Sequence, residues 1–91
     1  MLRIKYTGDF EENLRCYKGN LEILRLIDKR IKIFRKNPND SRLRNHALTK
    51  KMKGKFAFSI TDNIRIVYEW LGKSTARFLA IGTHNIVYKK V

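Results

Sequence analysis

Leu2, Ile4 and Tyr6 alternate with Arg3 and Lys5 at the start of the chain. A period of two is that of a strand with one buried face and one wet face. Thr7-Gly8-Asp9 interrupts it, and Thr7 or Asp9 is suited to cap a short helix through residues 10–18. Gly19 marks the end of that helix, and Asn20 is suited to cap the next one. The period then changes. Ile23, Leu24, Ile27, Ile31 and Phe34 recur at helical spacing, with Lys and Arg between them. The last turn of this helix is basic, which complements the negative end of the helix dipole, and Pro38 follows just past it.

Residues 37–55, NPNDSRLRNHALTKKMKGK, form a long polar connection with room for one helical turn from Ser41. A basic segment of this length in a small domain points to function rather than to simple linkage. Three apolar strands follow: FAFSI, IRIVYEWL and STARFLAIG. The order βααβββ predicts an α+β fold, with two helices from the N-terminal half packed on one face of a small antiparallel sheet. The other face is expected to stay open.

Register follows from which residues must share a face. Phe56, Phe58, Ile60, Ile64, Ile66 and Tyr68 all point to the helices if Thr61-Asp62-Asn63 forms a three-residue turn, with Asn63 in the left-handed conformation. Ser59 then opposes Arg65 on the open face. Gly72-Lys73 suits a two-residue turn into the last strand, which sets Ile66 opposite Leu79, Ile64 opposite Ile81 and Arg65 opposite Ala80. A last strand that continues in register brings Gly82 and His84 to the open face. Ala80 and Gly82 then leave a shallow hollow between Arg65 and His84.

Composition narrows the classes. The chain of 91 residues is 43% hydrophobic, which suits one folded domain over residues 1–91. Its 21 Lys and Arg outnumber its 8 Asp and Glu, for a net charge of +13. Such a surface attracts polyanions, with nucleic acid first. Cys16 stands alone, which excludes an internal disulfide and suits a reducing, cytoplasmic setting. No apolar run is long enough to span a membrane, and the first ten residues lack the core of a secretory signal.

Cutting RNA through its own 2′-hydroxyl needs proton transfer at two oxygens and cations for the charge that develops on phosphate. His84 supplies proton transfer near neutral pH. Arg65 offers a bidentate fork for phosphate oxygens. Tyr88 can stack on a base or donate a proton. His46 is a second proton carrier. Arg42, Arg44, Lys50, Lys51, Lys53 and Lys55 form the candidate RNA-binding set along the connection. No metal-ligand spacing, nucleophile elbow around Ser59 or phosphate-binding glycine loop is present, and no cofactor is expected.

Three stretches in this order resemble the RelE/ParE superfamily of toxins, and most of all its RelE/YafQ-type mRNA interferases. NHALTKKMKGKFAFSI resembles the loop that leads into the second strand, DNIRIVYEW resembles the strand that follows, and AIGTHNIVY resembles the histidine–tyrosine ending. The resemblance implies a toxin of a type II toxin–antitoxin system: a ribosome-dependent, metal-independent endoribonuclease that blocks translation and is silenced by a cognate antitoxin. Its partners would be mRNA, the ribosome and that antitoxin. In the same comparison His84 takes the acid/base position, Arg65 the phosphate position, Tyr88 the terminal aromatic and His46 the loop histidine. Ser59 stands where YafQ-type members have a histidine. Asp62 precedes their aspartate position by one residue, and Thr49-Lys50-Lys51 replaces the loop glycine. The alternative within the superfamily is a ParE-like toxin that inhibits DNA gyrase without cutting RNA, a class that usually lacks the histidine–tyrosine ending.

Overall fold

The computed structural model describes residues 1–90, with side chains described through Tyr88; Val91 of the expected domain lies outside the described residues. The Thr7 hydroxyl accepts from the Phe10 amide at 3.1 Å and starts helix α1 (Gly8–Arg15). The chain leaves α1 at Cys16, earlier than expected, through single-turn bonds from the amides of Tyr17 and Lys18 to the carbonyls of Leu14 and Arg15. Asn20 caps helix α2 (Leu21–Lys36) as expected, accepting from the Ile23 amide at 3.1 Å.

Strands β1 (Arg3–Tyr6), β2 (His46–Ala47), β3 (Phe56–Ser59), β4 (Arg65–Trp70) and β5 (Thr75–Gly82) form one sheet in the order β1-β5-β4-β3-β2. The α+β expectation holds, with three departures. β1 runs parallel to β5, so the sheet is mixed rather than antiparallel. The connection supplies an extra two-residue strand, β2, flanked by single 3-10 turns at Ser41–Leu43 and Lys50–Met52. The chain also ends in a third helix, α3 (His84–Lys90).

The helix-side core is aromatic. The Phe34 ring on α2 lies 4.7 Å from that of Phe58, 4.9 Å from Tyr68 and 5.6 Å from Phe78. Phe10 reaches Phe78 from α1 at 5.5 Å. Truncating a buried ring of this kind typically costs ~3–5 kcal/mol, a large share of the ~5–15 kcal/mol that holds a domain together. The Tyr68 hydroxyl escapes burial without a partner, because it donates to Asn45 Oδ1 at 2.9 Å.

The first hairpin has the expected three-residue turn and the expected Ser59–Arg65 pair. Its closure differs: Asn63 does not enter the left-handed region. Thr61 Oγ1 instead accepts from the Asn63 and Ile64 amides. The second turn holds three residues, Gly72-Lys73-Ser74, since the Leu71 amide donates to the Thr75 carbonyl at 2.8 Å. This moves the register by one residue. A bulge then moves it by one more, because Tyr68 pairs with Phe78 while Val67 pairs with Ala80. Ile66 therefore opposes Ile81, and Arg65 opposes Gly82 rather than Ala80. The two shifts sum to an even number, so Ile81 faces the helices as expected. Leu79 does not; it joins Ala80 on the opposite face.

Burial raises the Tyr68 hydroxyl pKa to about 12. The unfolded chain loses that proton near pH 10 and the folded chain does not. The stabilising contribution is therefore whole below pH 10 and is lost as pH rises towards 12. An absorbance titration of the folded protein should show a tyrosine that ionises near pH 12 and disappears in Tyr68→Phe. Ionisation of Tyr68 near pH 10, the ordinary value for the group, would contradict the buried, bonded hydroxyl.

Candidate functional site

Cross-strand pairing sets two rows on the face away from α1 and α2. One runs His46–Ala57–Val67–Ala80, and the next runs Ser59–Arg65–Gly82. The shared face predicted for Arg65, Ser59, Ala80 and Gly82 is thus observed, and His46 joins it through β2. The hollow expected above Ala80 and Gly82 is not open. Val87 of α3 is fully buried there in a second apolar cluster with Ala57, Val67, Leu79 and Ala80, flanked by Leu48, Met52 and Tyr88. Ala80 and Gly82 are small because a helix sits on them.

Gly82 is the seat of that helix. Its φ is +155°, and a Cβ there would lie 2.9 Å from Ile86 Cγ2. The strand ends at this residue, so His84 is not a strand residue as expected. It opens α3, is exposed, and stands one turn from the half-buried Tyr88, their rings edge to face at 4.3 Å. The glycine, threonine and histidine that close the strand thus form a turn into a helix that brings His84 and Tyr88 back onto the Arg65 face.

Arg65 is half-buried at the start of β4. Its Nε is fully enclosed and has no hydrogen-bond partner among the described residues. The other candidate cations differ in how free they are. Arg44 pairs with Asp62 at 3.0 Å. Arg42 pairs with Asp40 at 2.8 Å, and its guanidinium and backbone amide, both donating to that carboxyl, hold its pKa down to about 2. Arg42 is also drawn away from the Arg65 face: its carbonyl accepts from Arg30 of α2, and it lines a basic groove with Lys29, Lys32, Arg35 and Lys36. Lys50, Lys51 and Lys53 are exposed with no ion pair among the described residues, while Lys55 is half-buried. Lys50 and Arg44 both hold positive φ, 57° and 49°, as the connection bends around β2. His46 is exposed on this rim, with Nδ1 3.0 Å from the Arg44 carbonyl.

The arrangement gathers His46, Ser59 and Arg65 on one sheet face. His84 and Tyr88 stand above it on α3, and three free lysines lie along the adjoining loop. Arg42 belongs elsewhere, and Arg44 is already neutralised. Among the described residues no three His, Cys, Asp or Glu side chains gather as a metal-binding group. The seat of α3 was the feature that sequence reasoning missed. Its signal is Ile86-Val87 between His84 and Tyr88, a helical rather than alternating pattern over too few residues to outweigh the preceding strand.

No family model matches this chain, and no curated protein sequence matches it. Solved structures do. YafQ from E. coli strain BL21(DE3) superposes with a TM-score of 0.80 at 18% identity, covering 97% of this chain and 99% of that one. The YoeB/ParE toxin from Agrobacterium tumefaciens gives 0.78 at 16%, covering 91% and 99%. The chain has the RelE/ParE toxin fold. A third match is the E. coli DinJ–YafQ toxin–antitoxin complex, with 0.79 at 18%, covering 97% and 99%. Identities this low carry the RelE/ParE backbone to this chain, and the chemistry must be argued from its own residues.

Gly82→Ala should loosen α3. A non-glycine residue held in a sparsely populated backbone region costs ~1–3 kcal/mol, and ~1 kcal/mol moves the melting point of a domain this size by ~4–8 °C. Adding Ile86→Ala should recover the part due to overlap and leave the part due to φ. An unchanged melting point in Gly82→Ala would show that α3 does not seat on this residue.

Proposed function

We propose that this protein is the toxin of a type II toxin–antitoxin pair and acts as a metal-independent endoribonuclease on mRNA. The observation that carries the reading is the enclosed, unpartnered Nε of Arg65 on the face below His84 and Tyr88. An enclosed donor with no acceptor costs free energy that the fold does not repay. Arg65 as a whole is only half-buried and has no ion pair among the described residues, so the outer N–H groups of its guanidinium are offered to phosphate oxygens with charge assistance. The exposed His84, paired with the half-buried Tyr88, favours cleavage over a gyrase-directed, ParE-like activity.

In this reading Arg65 holds the scissile phosphate and meets the charge that builds on it. His84 moves the proton at the attacking or the leaving oxygen, and His46 on the opposite rim is available for the other transfer. Tyr88, held against His84, positions a base. Lys50, Lys51 and Lys53 draw in the flanking phosphates, with little from Arg44 and Arg42. So sparse a site depends on substrate held from outside, which favours cutting on the ribosome and hence in the cytoplasm. The +13 charge requires a counterpart in the idle state, and an acidic partner segment, the antitoxin, fits it.

Cleavage of a reporter mRNA in a translation extract, mapped by primer extension, tests this directly. Loss of a positioned acid/base lowers rate ~100- to 10,000-fold, so His84→Ala should fall in that range while keeping its fold and its binding to the antitoxin. Arg65→Ala should fall nearly as far, and Arg44→Ala should change little. Products should end in a 2′,3′-cyclic phosphate. Full cutting by folded His84→Ala would remove that residue from the mechanism. Inhibited supercoiling without mRNA cuts would replace the nuclease with the gyrase-directed activity.

A further inference from the structure

On the helix-side face, at the β2 edge, lies a groove of about 290 Å³ that the proposed chemistry does not use. Its walls are Trp70, Phe56 and the edge of Tyr68, with Asn39, Asn45 and His46 at the rim. The core aromatics run out to the surface here. Tyr68 is sealed, but Phe56 and Trp70 are half-buried. Trp70 stacks on Phe34 with planes 20° apart, and Phe56 stacks on Tyr68 with planes 25° apart. Asn45 is held rigidly, since Oδ1 accepts from the Tyr68 hydroxyl and Nδ2 donates to the Pro38 carbonyl at 2.8 Å. The Trp70 indole N–H donates to nothing among the described residues, which leaves it available to a ligand.

We propose that this groove binds an unpaired nucleobase of the RNA, stacked against Trp70 and Phe56, outside the cutting face. The inference rests on the reading of the chain as an RNA-cutting toxin. Three observations select a base over an apolar side chain. The walls are aromatic and the rim is polar, whereas an apolar anchor would cover the exposed Asn39 amide without bonding it. No carboxylate lines the groove, and the chain that carries it has a net charge of +13, which suits a polyanion. β2 is only two residues long, with His46 opposite Ala57 on the cutting face and Ala47 opposite Phe56 on the groove face. A single strand that wraps this edge therefore meets both surfaces. Stacking on aromatic side chains is indifferent to base identity, so the groove would set where the RNA lies rather than which sequence is cut.

Trp70 is the only tryptophan in the chain, so it reports on the groove. The folded full chain is titrated with a short 2′-O-methyl single-stranded RNA, which its own 2′-oxygen cannot cut. Tryptophan fluorescence and the anisotropy of an RNA label are read together. The fluorescence should quench along the same curve as the anisotropy, while inorganic polyphosphate, which has no bases, should leave it unchanged. Trp70→Leu should weaken RNA binding ~5- to 150-fold, the usual range for one stacked base. Trp70 also packs on Phe34, so Asn39→Glu at the exposed rim is the second variant. It keeps the core and the reporter, and should weaken binding at least ~5-fold by the same range. RNA binding with constant fluorescence and unchanged affinity in Asn39→Glu would overturn the groove while leaving the nuclease reading intact. Equal quenching by polyphosphate would also overturn it. Quenching only by the acidic antitoxin would assign the groove to that partner instead. Failure to bind RNA at any salt concentration would remove both readings.

Discussion

The free edge of β5 changes hands part-way along, and the rest of the fold follows from that exchange. β1 pairs with β5 as far as Phe78 and then ends. Beyond that point α1 takes over the edge. The Thr7 hydroxyl donates to the Leu79 carbonyl at 3.0 Å, and the buried Asn13 accepts from the Ile81 amide at 3.3 Å. Backbone groups at a buried edge must find partners, and here the cap of one short helix and a side chain within it supply them. The bulge at Leu79-Ala80 falls at the same place. It turns Phe78 and Ile81 into the aromatic core and sends Leu79 and Ala80 to the other side. The bulge thus adds Leu79 and Ala80 to Ala57 and Val67 on the second apolar face. α2 covers the first, and α3 has a floor to sit on at the second.

That second floor explains why the site combines a rigid and an exposed part. Val87 is anchored on Ala57, Val67, Leu79 and Ala80, while His84 and Tyr88 on the same helix remain accessible. Beneath them, Arg65 is fixed between Ser59 and Gly82 on neighbouring strands. A guanidinium on a central strand loses little further freedom on binding, which suits it to the proposed phosphate contact. Free charge is local too. Asp40 and Asp62 pair with Arg42 and Arg44, whereas Lys50, Lys51 and Lys53 carry no ion pair among the described residues.

Much of this was legible in the sequence. Caps at Thr7 and Asn20, the long amphipathic helix and the three main strands announce themselves through periodicity and local hydrogen-bonding chemistry. The Ser59–Arg65 pair followed from matching apolar faces across one turn. What was hidden is non-local. Nothing in LRIKY says that it pairs parallel with a strand seventy residues away. The bulge depends on Thr7 and Asn13 meeting β5, which no local window contains. The last helix was concealed because a strand rich in β-branched and aromatic residues runs directly into it, and only the positive φ at Gly82 separates the two. The same blind spot made the small residues Ala80 and Gly82 look like an opening for a ligand, when they are room for Val87 and Ile86. α3 nonetheless returns His84 and Tyr88 to the face that Arg65 occupies.

The fold alone does not fix a target, so the proposed chemistry of this chain rests on what Arg65 holds. Its enclosed Nε–H is the group whose partner is missing. Side-chain nitrogen NMR observes that group directly, with Arg65→Lys to assign its signal. In the free protein the Arg65 Nε–H should exchange slowly with solvent for an unbonded donor, because it is enclosed. On adding a short single-stranded RNA it should shift as a phosphate-bonded guanidinium, with the Arg42 and Arg44 signals little changed. An Arg65 signal that stays put while the RNA binds, with the shifts falling instead on arginines of α2, would contradict the account.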